Sequence, residues 1–150
     1  MIGFDGIYIG GGNTYSLLHE FRAAGFLPVL RHAIHEGVCV YGGSAGAVVL
    51  GADISTVRQI DTNDVGLVDT KAVDVAGGLA VSVHYTRDHD QPISTDVAET
   101  GLSVVAIPED AGVVLIDDYI RATGSSPVML FTPGATPTKL APADTSRDPG

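Results

Sequence analysis

The sequence predicts an α/β chain, and three observations carry that expectation. Short β-branched runs alternate with stretches of helical periodicity. Two strand-to-helix junctions are rich in small residues, Gly10-Gly11-Gly12-Asn13-Thr14 and Gly42-Gly43-Ser44-Ala45-Gly46. Nineteen glycines among 150 residues supply the tight turns that α/β folds with short connections need. A chain of this length suits one domain and can bury roughly two-thirds of its unfolded surface. With 45% hydrophobic residues it has ample material for a core.

Taken in order, Gly6-Ile7-Tyr8-Ile9 reads as a short buried strand running into the first glycine loop. Asn13 or Thr14 suits the N-cap of a helix that carries Leu17, Leu18 and Phe21 on one face and stops at Gly25. Pro28 fits the first turn of a second helix, with Val29, Leu30, Ala33 and Ile34 inward and Gly37 at its end. A strand from Val38 leads into the second junction, and Cys39 on it reads as a buried core thiol with no disulfide partner. Residues 52–78 are polar and irregular, the pattern of a loop that helps to form a site. Strands are expected at 79–83, 103–107, 112–116 and 128–131, with a helix over 93–100. The domain is expected to span 1–131, and 132–150, rich in Pro, Gly and Thr, to form a mobile tail.

The second junction is where chemistry is most legible. A Gly-x-Ser-x-Gly turn between a strand and a helix is the pattern of a nucleophile elbow. The small residues let the two elements approach closely, and the helix N-terminus favours an oxyanion beside Ser44. The same pentapeptide also suits an ordinary β-α turn whose serine caps the helix. The first glycine loop could cradle phosphate or offer a backbone N–H to an oxyanion, but neither G-x-G-x-x-G nor G-x-x-x-x-G-K-[ST] is present. Among the five histidines, His84 stands out because it ends an apolar strand, where a general base is well placed. His32 and His35 lie three apart on a helix without a third ligand of matching spacing, so a solvated face is expected rather than a metal site; His19 reads the same way. The aspartates of the 52–78 segment lack the spacing of a calcium loop and suit turn-type bonds to the backbone.

The formal net charge of −10, with only eight Lys plus Arg, disfavours a nucleic-acid surface and an anionic membrane as partners. No stretch approaches the roughly 20 apolar residues of a transmembrane helix. The first residues lack the basic and long apolar regions of a signal peptide, so a cytoplasmic location is expected.

Tyr8-Ile9-Gly10-Gly11-Gly12-Asn13-Thr14, Gly42-Gly43-Ser44-Ala45-Gly46-Ala47, Thr62-Asn63-Asp64, His84-Tyr85 and Ile107-Pro108-Glu109 occur in that order. Together, over residues 5–116, they resemble peptidase family S51, the family of the aspartyl dipeptidases and more distantly of cyanophycinase. The resemblance implies a flavodoxin-like parallel sheet flanked by helices, related to class I glutamine amidotransferases, with serine in place of the cysteine nucleophile. It implies Ser44 as nucleophile, His84 as general base, and Gly12 and Ala45 as oxyanion-hole donors. Asp64 is the expected third member of the triad and Glu109 its rival. Family members carry a segment ahead of the Gly-Gly-Gly-Asn loop that this sequence does not contain. An N-terminally truncated sheet is therefore expected, with its missing strands absent, replaced or supplied by a neighbouring subunit, and hence a homo-oligomer. The family's Gly-Glu-Thr-Arg-like segment after the histidine corresponds here to Ile93-Ser94-Thr95-Asp96-Val97-Ala98-Glu99, without the arginine that reads an aspartyl substrate; Arg87 is near but not at the matching position.

The resulting expectation is a serine peptidase-like hydrolase that cleaves a short peptide through an acyl-enzyme on Ser44, with no metal and no organic cofactor. Two alternatives accompany it. One is a catalytically inactive paralogue that serves as a binding or oligomerisation module. The other is the same fold acting on an isopeptide or an ester.

Overall fold

The computed structural model describes residues 5–116 and 119–142 of the chain. The backbone gathers into two compact units, Met1–Val83 and His84–Gly150.

In the first unit, strand β1 (Gly6–Ile9) pairs in parallel with β2 (Cys39–Gly42), Ile7 opposite Val40 and Ile9 opposite Gly42. Parallel strands need a crossover, and helices α1 (Thr14–Ala23) and α2 (Phe26–His35) provide it. Asn13 caps α1, its side chain accepting from the Ser16 N–H at 2.9 Å. Gly25, at φ 64, turns the chain directly into α2. Starting at Phe26, α2 buries Leu27, Leu30 and Ala33, the 3-to-4 spacing of one face. Val29, expected inward, is 49% exposed because it falls on the opposite side of that face. Leu18 and Leu30 are fully buried, and each such side chain contributes about 1.5–3 kcal/mol by leaving water.

Helix α3 (Ala45–Leu50) follows β2, and β3 (Leu79–Val83) is buried along its whole length. The irregular segment between them holds a 3-10 turn at Ser55–Val57 and an isolated bridge from Asp53 to Lys71. Its shape is fixed by long-range polar ties. Arg22 of α1 donates to the carbonyls of Asp69 and Lys71 at 2.6 Å each, and Arg31 of α2 donates to those of Val73 (2.9 Å) and Ala72 (2.7 Å). The Val73 and Val75 N–H groups donate to Val49 and Leu50.

Cys39 is exposed, not the buried thiol expected from its apolar neighbours. Among the described residues β2 pairs with β1 alone, and alternate residues of the two strands stand on an open face. Tyr8 and Tyr41 share that face, stacked with ring centroids 5.4 Å apart.

In the second unit a 3-10 turn (Arg87–His89) leads into helix α4 (Asp90–Thr100), which begins before the expected residue 93 because Pro92 is accommodated in its first turn. Strand β4 (Ser103–Ile107) is followed by a hairpin of β5 (Ala111–Ile116) and β6 (Tyr119–Gly124), then by β7 (Val128–Phe131) and β8 (Thr138–Leu140). β7 lies antiparallel between β4 and β8, Leu130 facing Val105 on one side and Thr138 on the other. Val104, Val105, Ala106, Val128 and Phe131 form its core with Ile93 and Val97 of α4. β8 falls inside the segment expected as a tail, ordered there by its pairing with β7; residues 143–150 of that segment lie outside the described residues. Among the described residues no helix is long and apolar enough to cross a membrane.

Candidate active site

Ser44 sits between β2 and α3 with φ 51 and ψ −119, a conformation that a side chain rarely adopts. The glycines around it explain how such a turn is built. A Cβ on Gly46 would lie 2.1 Å from the Ile9 carbonyl oxygen, and one on Gly42 would lie 2.6 Å from the Gly46 carbonyl. Glycine is required at both positions for strand and helix to meet. Ser44 occupies the N-cap position of α3, yet its side chain makes no capping hydrogen bond. The ordinary cap reading of this serine is therefore disfavoured. Ala45 is the first residue of the helix, where leading N–H groups lack intrahelical acceptors.

The first glycine loop stands against the elbow. The Gly43 N–H donates to the Ile9 carbonyl at 3.0 Å, and a Cβ on Gly11 would approach the Ser44 Cβ to 3.3 Å and its Oγ to 3.7 Å. Gly12, at φ 135, takes a backbone conformation suited to glycine. Asp64 belongs to the same unit, and its carboxylate accepts from the Thr62 hydroxyl at 3.0 Å. Two residues that carried no catalytic reading join the loop to this segment: Asp61 accepts from the Thr14 N–H, and the Asn13 amide donates to the Thr62 carbonyl, both at 2.8 Å. Their partners are 47 and 49 residues away in the chain, a distance that no local motif signals.

In the second unit His84 also has a positive φ, 56. Its Nδ1 bonds a Glu109 carboxylate oxygen. With Nδ1–H donating to the carboxylate, Nε2 is the proton-accepting nitrogen, the tautomer that a general base needs. Glu109 lies in the tight turn between β4 and β5, closed by the Ala111 N–H on the Pro108 carbonyl at 3.2 Å. Next to the histidine, the Tyr85 N–H donates to the Ile107 carbonyl at 3.0 Å and its hydroxyl to Asp90 at 2.6 Å. Burial, reinforced by the Asp90 carboxylate, pushes the Tyr85 phenol up to about 12.

His19, His32 and His35 are exposed. Among the described residues, no group of three or more His, Cys, Asp or Glu side chains is placed to hold a metal ion.

The profile of Peptidase family S51 matches residues 2–123, and the chain belongs to that family. A "Peptidase E" of Shewanella sp. (strain W3-18-1) is 31% identical over 139 residues, an alignment covering 85% of this chain and 57% of that protein. The chain thus spans little more than half the length of this curated relative. A candidate peptidase E of Listeria monocytogenes EGD-e matches in structure with a TM-score of 0.69 at 23% identity, over 83% of this chain and 61% of the other. A peptidase from an acI-B1 Actinobacterium matches with a TM-score of 0.60 at 19% identity, over 93% and 58%. These likenesses show that the chain shares the α/β fold of those two structures.

Proposed function

We propose that this protein is a serine-type hydrolase of short peptides, working through an acyl-enzyme on Ser44. The observation that carries the reading is the conformation of Ser44, held at φ 51 in the tight turn at the start of α3. Membership of family S51 supports a peptidase-type reaction. Ser44 Oγ attacks the scissile carbonyl while His84 accepts its proton and later returns it to the leaving amine. The N–H groups of Gly12 and Ala45 receive the oxyanion of the tetrahedral intermediate. Water then releases the acyl group by the same route in reverse.

Glu109 is the residue we assign to orient the imidazole. Its bond to His84 Nδ1 supports that role, whereas the Asp64 carboxylate accepts from Thr62. The absence of an arginine over residues 93–99 argues against a substrate class defined by an aspartyl side chain. A panel of dipeptides, with and without an acidic first residue, tests the assignment: hydrolysis of at least one is expected, and Ser44→Ala abolishes it. Hydrolysis at the wild-type rate by Ser44→Ala contradicts the reading.

A further inference from the structure

We infer that Asp61, assisted by Asn13, is a positioning residue that holds the Gly10-Gly11-Gly12 loop in register with Ser44. The inference rests on Gly12 acting as an oxyanion donor. Three successive glycines carry no side chains with which to fix themselves, and glycine has the largest conformational freedom to lose. A donor that must meet a developing charge at hydrogen-bond distance cannot rely on such a segment alone.

The loop is fixed at its ends. Upstream, the Ile9 carbonyl accepts from the Gly43 N–H of the elbow at 3.0 Å. Downstream, the Asp61 carboxylate takes the N–H of Thr14, the first residue of α1, at 2.8 Å. Thr14 is 1% exposed, so in the folded protein its N–H depends on the Asp61 carboxylate rather than on bulk water. The negative charge also suits the start of a helix. Asn13 adds a second tie, its Nδ2 donating to the Thr62 carbonyl at 2.8 Å while Oδ1 serves the helix cap. Asp61 is itself anchored through its own N–H on the Val57 carbonyl at 2.9 Å. Gly12 immediately precedes these two fixed residues, so the ties set the direction of its peptide group.

Three variants of the full chain test the inference by dipeptide turnover and by the rate of fluorophosphonate labelling of Ser44. Asp61→Ala removes the acceptor; kcat should fall about tenfold or more with KM within about twofold, the signature of a lost transition-state contact. The labelling rate should fall in parallel, since that reaction also builds negative charge on oxygen. Asp61→Asn keeps an acceptor oxygen and should recover most of both rates. Asn13→Asp keeps the cap but loses the tie to Thr62, and should lower kcat while circular dichroism stays native; this variant decides the matter if Asp61→Ala does not fold. Wild-type kcat and labelling in folded Asp61→Ala, or in Asn13→Asp where Asp61→Ala is unfolded, overturn the inference. Wild-type protein that neither turns over dipeptides nor labels at Ser44 overturns the proposed function, and the positioning role with it.

Discussion

Ser44 and His84 take positive φ, 51 and 56, where an L-residue pays about 1–3 kcal/mol of local strain. Ser44→Gly should therefore abolish turnover while raising the unfolding free energy by about 1 kcal/mol, read from paired denaturant melts. A melt unchanged or lowered by that substitution would show that the turn stores no strain. Glu109 and Asp64 can be told apart by their amides. Glu109→Gln should cut kcat by roughly a hundredfold or more, because an amide carbonyl no longer stabilises the imidazolium, and Asp64→Asn should change it by less than about threefold. The reverse order would return the orienting role to Asp64. At this scale the sequence was informative about which residue types matter and less so about their partners. Gly-x-Ser-x-Gly announces its own geometry, since the glycines flank the serine in the chain. The bond from His84 to Glu109 joins residues 25 apart in the chain, whereas the resemblance of Thr62-Asn63-Asp64 to the dipeptidase pattern favours Asp64.

Among the elements, the elbow leaves no room for a side chain at Gly46. Gly46→Ala would push a methyl into the Ile9 carbonyl, because a Cβ there would lie only 2.1 Å from the oxygen. A backbone oxygen cannot swing aside as a flexible side chain would, so β1 and α3 must separate. The expected cost is about 3 kcal/mol or more in thermal or urea unfolding, with loss of Ser44 labelling. The start of the second unit has a pH signature of its own. The Tyr85 phenol is raised from 10.0 to about 12, so between those values the unfolded chain releases its proton while the folded chain keeps it. Stability contributed by this group is complete below pH 10 and is lost as pH rises towards 12. Tyr85→Phe should flatten that decline in urea midpoints measured across the window; an identical slope would contradict it. Helix caps and apolar runs made β1, α1, β3, β4 and β7 readable, although β1, expected as a buried strand, buries only Ile9 because its other face is left open. β6, with Arg121 and Thr123 among its residues, and the three-residue β8 were not, because each is ordered by antiparallel pairing with a neighbour. The exposure of Cys39 and Tyr41 escaped for a related reason: apolar composition gives a strand, and only its neighbours decide which faces are covered.

For the whole molecule, the α/β architecture and family followed from motifs spread over most of the chain, and the family match over residues 2–123 agrees with them. The division into units at Val83 and His84 left no mark in composition, since an apolar strand runs straight into a histidine there. What binds these levels together is the claim that Ser44 is a reactive nucleophile. The most direct measurement is the intact mass of the full chain after exposure to a fluorophosphonate, followed by peptide mapping of the adduct. One phosphonyl group on Ser44 is expected, absent in Ser44→Ala and strongly slowed in His84→Ala. An unmodified wild-type protein, or an adduct on any other residue, would contradict the account.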